Sequence, residues 1–156
     1  MTKRLQGKVA VVTGGASGIG EGIVRRLVAE GAVCVIGDID DAGGERIVGD
    51  LGRSVRFVRA DVTNEADVEA LIDEAVTAHG RLDAMVNNAG VDGVGGSIMD
   101  VELDAWESTL AVLLRSVFLG TKHAARVMMR QGGGALTPEL GHGVGLRGGR
   151  ERSSVV

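Results

Sequence analysis

Residues 13–20, TGGASGIG, put four glycines and a serine hydroxyl between a short apolar run and a helical pattern. Backbone N–H groups at a helix start carry partial positive charge and point at whatever lies in front of them, so this stretch is a candidate anion site. Gly14 permits a tight turn, Gly18 lets the backbone approach a pyrophosphate, and Gly20 lets the helix lie close to the sheet. The spacing is G-x-x-x-G-x-G, which departs from G-x-G-x-x-G. Asp38 follows Gly18 by 20 residues, at the end of the next apolar run. A carboxylate there can accept hydrogen bonds from ribose hydroxyls. Loop and acid together read as the two halves of a dinucleotide site, with Gly14, Ser17, Gly18, Ile19, Gly20, Asp38 and Ile39 as its contacts. Plainer roles stay open for both: a structural turn for the loop and a helix cap for Asp38.

Asp38 also bears on which dinucleotide binds. A carboxylate about 4 Å from an added 2'-phosphate is repelled by roughly 4 kcal/mol per charge pair at an effective dielectric of about 20. Ser17 stands before Gly18, and the loop holds no Arg or Lys to offset that repulsion. The expected cofactor is therefore NAD rather than NADP.

These side chains need elements to position them. Residues 8–13, KVAVVT, are continuously apolar and β-branched after the Lys, the pattern of a strand covered on both faces. Ile19, Ile23, Leu27 and Val28 then repeat at helical spacing and stop at Gly31. Residues 32–39 and 54–61 read as further strands. Residues 41–51 read as a weaker helix, because Gly43, Gly44 and Gly49 each cost up to about 1 kcal/mol relative to Ala. Asn64 is a candidate N-cap for a helix carrying Val68, Leu71, Ile72, Ala75 and Val76 on one face and closing at Gly80. Residues 82–90 read as a fourth strand, and residues 101–130 as helical, with Trp106 packing a helix. Alternating strands and helices predict an α/β fold with a parallel sheet and helices on both faces.

After Gly134 the pattern changes. ALTPELGHGVGLRGGRERSSVV has no continuous or alternating apolar run, holds the single Pro at 138 and scatters glycines. The expectation is a domain over residues 1–134 with about four strands, followed by an irregular tail over 135–156. That would leave residues 82–86 as an open apolar sheet edge and the helix over 112–129 with an uncovered face, a route to homo-oligomers or aggregation.

Composition narrows the partners. A net charge of −4 without a Lys or Arg run argues against nucleic acid and anionic membrane surfaces. The basic start resembles a secretion signal only superficially, since Gly14 and Glu21 interrupt its apolar run. With one Cys there is no internal disulfide, and the chain reads as cytoplasmic. Cys34 reads as a core residue. His79, His123 and His142 are too dispersed for a metal site.

Taken together, TGGASGIG, Asp38, the Asp61–Val62 pair, VNNAG at 86–90 and the helix from Trp106 to SVF at 116–118 resemble the short-chain dehydrogenase/reductase family. The likeness covers about residues 3–134. It implies a Rossmann-type sheet of order 3-2-1-4 that binds NAD(H), with Asp61 and Val62 at the adenine and Asn88, Ala89 and Gly90 bordering the adenosine. It also implies hydride transfer between nicotinamide and a small alcohol or carbonyl substrate. Asp61 capping a helix and Asn88 tying a strand to a turn are the plainer alternatives.

The family's reaction uses a Tyr to move the hydroxyl proton, a Lys four residues later, a Ser at the substrate oxygen and an Asn in a proton relay, each balancing charge on oxygen. This sequence contains no Tyr. Its lysines are Lys3, Lys8 and Lys122, and Leu113 stands where the Asn is expected. Leu140, Gly141 and His142 stand near the expected Ser, and Ser153 and Ser154 near the expected Tyr. No catalytic residue is assigned. The expectation is a truncated or frame-shifted family member that keeps the cofactor site without catalysis; the alternative is a non-catalytic NAD-binding module or a partner of a complete homologue.

Overall fold

A computed structural model describes residues 3–138. The tail from 139 onward, with His142, Ser153 and Ser154, lies outside the described residues. The elements in chain order are β1 (Val9–Thr13), α1 (Gly18–Ala29), β2 (Val33–Asp38), α2 (Asp41–Leu51), a 3-10 turn (Gly52–Ser54), β3 (Val55–Arg59), α3 (Glu65–His79) and β4 (Ala84–Asn87). There follow α4 (Leu103–Leu110), a π-helical turn (Ala111–Arg115), α5 (Ser116–Gln131) and β5 (Ala135–Pro138). The strands form one parallel sheet of order β3-β2-β1-β4-β5.

The continuous apolar runs follow from burial on both sheet faces. Val9 and Val11 point into a cluster with Leu71, Ile72, Leu119 and Met128 from α3 and α5. Ala10 and Val12, in the opposite phase of β1, point into a second cluster with Val24 of α1 and Ile47 of α2. A strand buried on both sides has no polar position to alternate with. Cys34 belongs to the second cluster and is fully buried, and burial pushes its thiol up to about 12. Asn64 caps α3 by accepting from Ala66 N–H at 2.9 Å, and Gly80 closes it in the left-handed region. In α2, Gly43 and Gly44 are buried and the helix forms despite their cost.

Two expectations need correction, the coil after Gly134 and the open edge at residues 82–86. The stretch after Gly134 is not coil throughout: Ala135–Pro138 pairs in parallel with β4, so the sheet has five strands and its open edge is β5 rather than β4. Ala135 N–H donates to Asp83 O at 2.8 Å. Strand backbone alternates direction, so the nitrogens of Leu136 and Pro138 face the open edge, where a missing N–H breaks no ladder bond. The expected helical stretch is present without a break over residues 103–131, with the π-helical turn Ala111–Arg115 inside it. Trp106, expected to pack a helix, is 46% exposed.

Leu71 of α3 is fully buried in the first cluster. Leu71→Ala is expected to lower stability by about 2–5 kcal/mol through lost transfer energy and the cavity left behind. Urea unfolding checks this: the midpoint should fall with little change in slope.

Candidate functional site

The order of the sheet reverses between β1 and β4, so the chain leaves the carboxyl ends of these neighbouring strands toward opposite faces and opens a crevice there. A cavity of about 360 Å³ occupies it. Gly14, Ser17, Gly18, Ile19, Gly20, Asp38, Ile39, Val62, Asn88, Ala89 and Gly90, all singled out from sequence, line this cavity. Asp61 does not line it. Its carboxylate accepts from the Thr63 hydroxyl at 2.7 Å and the Thr63 N–H at 2.8 Å, and these bonds, the hydroxyl's first, hold its pKa below the usual carboxylate range.

Gly14 sits at φ +64°, and a Cβ there would stand 2.9 Å from Ala89 Cα. Any larger residue would be strained and would push β4's exit away from β1. At Gly20 a Cβ would overlap the Gly14 carbonyl and come within 2.6 Å of Asn88 Nδ2. Gly18, at φ +53°, has nothing within 4 Å of where its Cβ would be, so its backbone is bare to the cavity. Ser17 occupies the N-cap of α1 without a side-chain capping bond, which leaves the first N–H groups of that helix available to a ligand.

The two strand ends are joined by buried polar bonds. Thr13 Oγ1 accepts from the N–H groups of Asn88 at 3.0 Å and Ala89 at 3.1 Å, and Asn88 Nδ2 donates to the carbonyls of Thr13 at 2.9 Å and Gly14 at 3.1 Å. Asn88 thus ties strand to turn while also lining the cavity. Asp38 is not the cap of α2; Asp40 is, accepting from Gly43 N–H at 3.1 Å. Asp38 Oδ2 accepts from Ala16 N–H at 3.0 Å and Oδ1 from Asp40 N–H at 3.1 Å. Each carboxylate oxygen keeps a further lone pair for a ligand hydroxyl.

Sequence reasoning missed several contributors. Thr13 read only as the last residue of a strand. Arg46 lies 30 residues from Ala16, yet its Nη2 donates to the Ala16 carbonyl at 3.2 Å. Ala60 and, from the π-helical turn, Val112 also line the cavity, and only tertiary packing brings them there. Lys122 and His123 lie elsewhere, against Glu65 Oε1 of α3 at 2.6 and 2.9 Å. Leu113 is in the π-helical turn, where an apolar side chain offers no hydrogen bond.

A parallel sheet that reverses order at this crevice, with an uncapped helix start and an acid at the end of β2, defines a Rossmann-type α/β protein. A family model described as short chain dehydrogenase matches residues 8–137. The chain belongs to the short-chain dehydrogenase family, an oxidoreductase family. It is 49% identical over 129 residues to (+)-borneol dehydrogenase 1 of Salvia officinalis, covering 82% of this chain and 50% of that protein. It is 45% identical over 136 residues to the 3-alpha-(or 20-beta)-hydroxysteroid dehydrogenase of Mycobacterium tuberculosis, covering 87% and 52%. The chain spans about half the length of these curated relatives. Among solved structures, the 3-ketoacyl-(acyl-carrier-protein) reductase from Brucella melitensis complexed with NADH aligns with a TM-score of 0.79 at 38% identity, over 82% of this chain and 53% of that one. A short-chain dehydrogenase/reductase from Burkholderia phymatum in complex with NAD aligns at 0.78 and 36% identity, over 84% and 47%. No helix among the described residues is long and apolar enough to cross a membrane.

Beside the loop, Glu21 of α1 accepts from Arg46 Nη2 at 2.7 Å and Arg25 Nε at 2.8 Å, and these bonds, Arg46's first, pull its carboxyl down to about 2. An unfolded Glu titrates near about 4.3. The folded pKa is depressed, so the stabilisation is fully present above the unfolded value and is lost as pH falls toward the folded one. Urea unfolding of the parent and Glu21→Gln should show a stability gap that is constant above about pH 5 and closes toward about pH 2.

Proposed function

We propose that this chain is the NAD-holding half of a short-chain dehydrogenase and binds NAD(H) without turning over an alcohol or carbonyl by itself. The observation that carries the reading is the Asp38 carboxylate, at the cavity and already oriented by Ala16 N–H and Asp40 N–H. A ribose placed there donates its hydroxyls to Asp38, and the pyrophosphate meets the amides around Ser17 and Gly18. The exposed side chains of Ile19 and Ile39 and the buried Val62 supply apolar surface for the ring systems.

NAD rather than NADP follows from charge. Arg59 stands beside Asp38 in the β2–β3 register, but its Nη1 is engaged by the Ile39 carbonyl and Asp41 Oδ2, each at 2.7 Å. A 2'-phosphate at this point faces the Asp38 carboxylate without a free cation from that residue.

Bound NAD supplies the hydride acceptor, and the chemistry then needs a group to take the alcohol proton. The family's Tyr has no counterpart in these 156 residues, Lys122 is held at Glu65, and Leu113 replaces the relay Asn. A missing acid–base group alone removes about 10²–10⁴ in rate. Fluorescence titration is expected to give saturable NADH binding, at least about tenfold weaker NADPH binding, and about tenfold to hundredfold weaker NADH binding for Asp38→Ala, from lost charge-assisted hydrogen bonds of about 1.5–3 kcal/mol. Mixed with NAD and secondary alcohols, the chain should form no NADH. Equal affinity for NADH and NADPH would overturn the cofactor assignment, and measurable turnover the catalytic one.

The α4–α5 face supports association with another copy. Leu103, Leu114, Phe118 and Met129 are exposed there, each at least 61%. Sedimentation velocity should detect species heavier than a monomer, and Leu114→Glu with Phe118→Glu should shift them to monomer; a parent that is monomeric throughout would refute this.

A further inference from the structure

The crest of the glycine loop is gripped at both ends of one residue. Ala16 is 1% exposed. Its N–H donates to Asp38 Oδ2 at 3.0 Å, and its carbonyl accepts from Arg46 Nη2 at 3.2 Å. Both partners come from the β2–α2 unit, whereas Ala16 lies between β1 and α1. Arg46 is itself aimed: Nη1 and Nη2 form a fork on Glu21 Oε1 at 3.0 Å and Oε2 at 2.7 Å. Glu21 is one turn into α1, so the guanidinium spans the loop and the helix that follows it. Gly43 allows this closeness, since a Cβ there would strike the Asp40 carboxylate and come within 3.0 Å of the Ala16 carbonyl.

We propose that Arg46 is a positioning residue for the dinucleotide: locked by Glu21, it fixes the Ala16 carbonyl and so holds the following amides, from Ser17 onward, in the orientation that receives a pyrophosphate. The cavity is not lined by Arg46, which acts through the loop and not by touching the ligand. Asp38 then has two roles, one toward a ribose and one toward Ala16, and Arg46 supports the second. This inference rests on the proposed NAD site and assigns it a part that neither the glycine pattern nor Asp38 provides.

Positioning and simple charge attraction both predict weaker binding for Arg46→Ala but diverge at Arg46→Lys and Glu21→Gln, which makes them separable. Arg46→Ala, Arg46→Lys and Glu21→Gln are compared with the parent by NADH titration, at temperatures well below each variant's unfolding. Positioning predicts that the competent loop becomes a minor population, so that NADH affinity falls about tenfold for Arg46→Ala, in proportion to the fraction lost. Arg46→Lys should stay weak, because an ammonium keeps the charge but lacks the planar fork. Glu21→Gln should also bind more weakly, although it removes a negative charge near the phosphates. In the ligand-free chain, amide exchange at 17–19 should accelerate in Arg46→Ala while the core of α3 keeps its protection.

A fully restored Arg46→Lys, or tighter binding by Glu21→Gln, would overturn positioning in favour of attraction. Unchanged NADH affinity and unchanged exchange in Arg46→Ala would remove any role. If the parent binds no NADH, the proposed function fails, and the exchange measurement on the ligand-free chain still decides whether Arg46 holds the loop.

Discussion

The site depends on the buried hydrogen bonds that tie the end of β1 to the end of β4. The two strands part at this point, and each leaves backbone groups that no ladder can satisfy. Thr13 Oγ1 takes two N–H groups from β4's exit, and Asn88 Nδ2 gives two bonds to β1's exit. An unmet buried polar group costs about 1–3 kcal/mol, so the exchange holds the crevice at one width. Gly14 and Gly20 are determined by the same junction: their missing Cβ atoms are the space in which the loop, the helix start and Asn88 meet.

The neighbouring charges form a second layer, built on carboxylates. Asp38, Asp40 and Asp61 all accept backbone N–H groups and so shape turns as well as carrying charge. The arginines are spent on these turns and on one another's partners: Arg59 at Asp41 and Arg46 and Arg25 at Glu21. Among the described residues no cation pairs with Asp38. Its partners are the backbone N–H groups of Ala16 and Asp40, and the carboxylate lines the cavity.

The other end of the molecule obeys a weaker constraint. The sheet continues past β4 into a four-residue β5 with its outer edge open. The apolar residues of α4 and α5 that face away from the sheet remain exposed. In relatives of about twice this length, the matched region is only half the protein. The crevice is lined mainly by β1 to β4 and their connections, with Val112 from the π-helical turn, whereas the apolar surface beyond it is not covered by the described residues.

The sequence by itself determined the elements whose signal is local. β1 and β2 are legible because strands buried on both faces are continuously apolar; α3 is legible because Asn64, a single apolar stripe and Gly80 mark its start, face and end. The glycine loop and Asp38 are legible because fixed spacing along the chain translates into adjacency across one βαβ unit. Tertiary structure decided what depends on distant partners. β5 is too short to carry a periodic signal and exists because β4 offers it a ladder, with Pro138 harmless only in the outward phase. Asp38 and Asp40 divide their roles according to which amides lie nearby, which no spacing reveals. Arg46 reaches Ala16 because α2 packs against the loop. Each of these is a hydrogen bond between groups far apart in the chain, and such pairings acquire a geometry only once the sheet has brought them together.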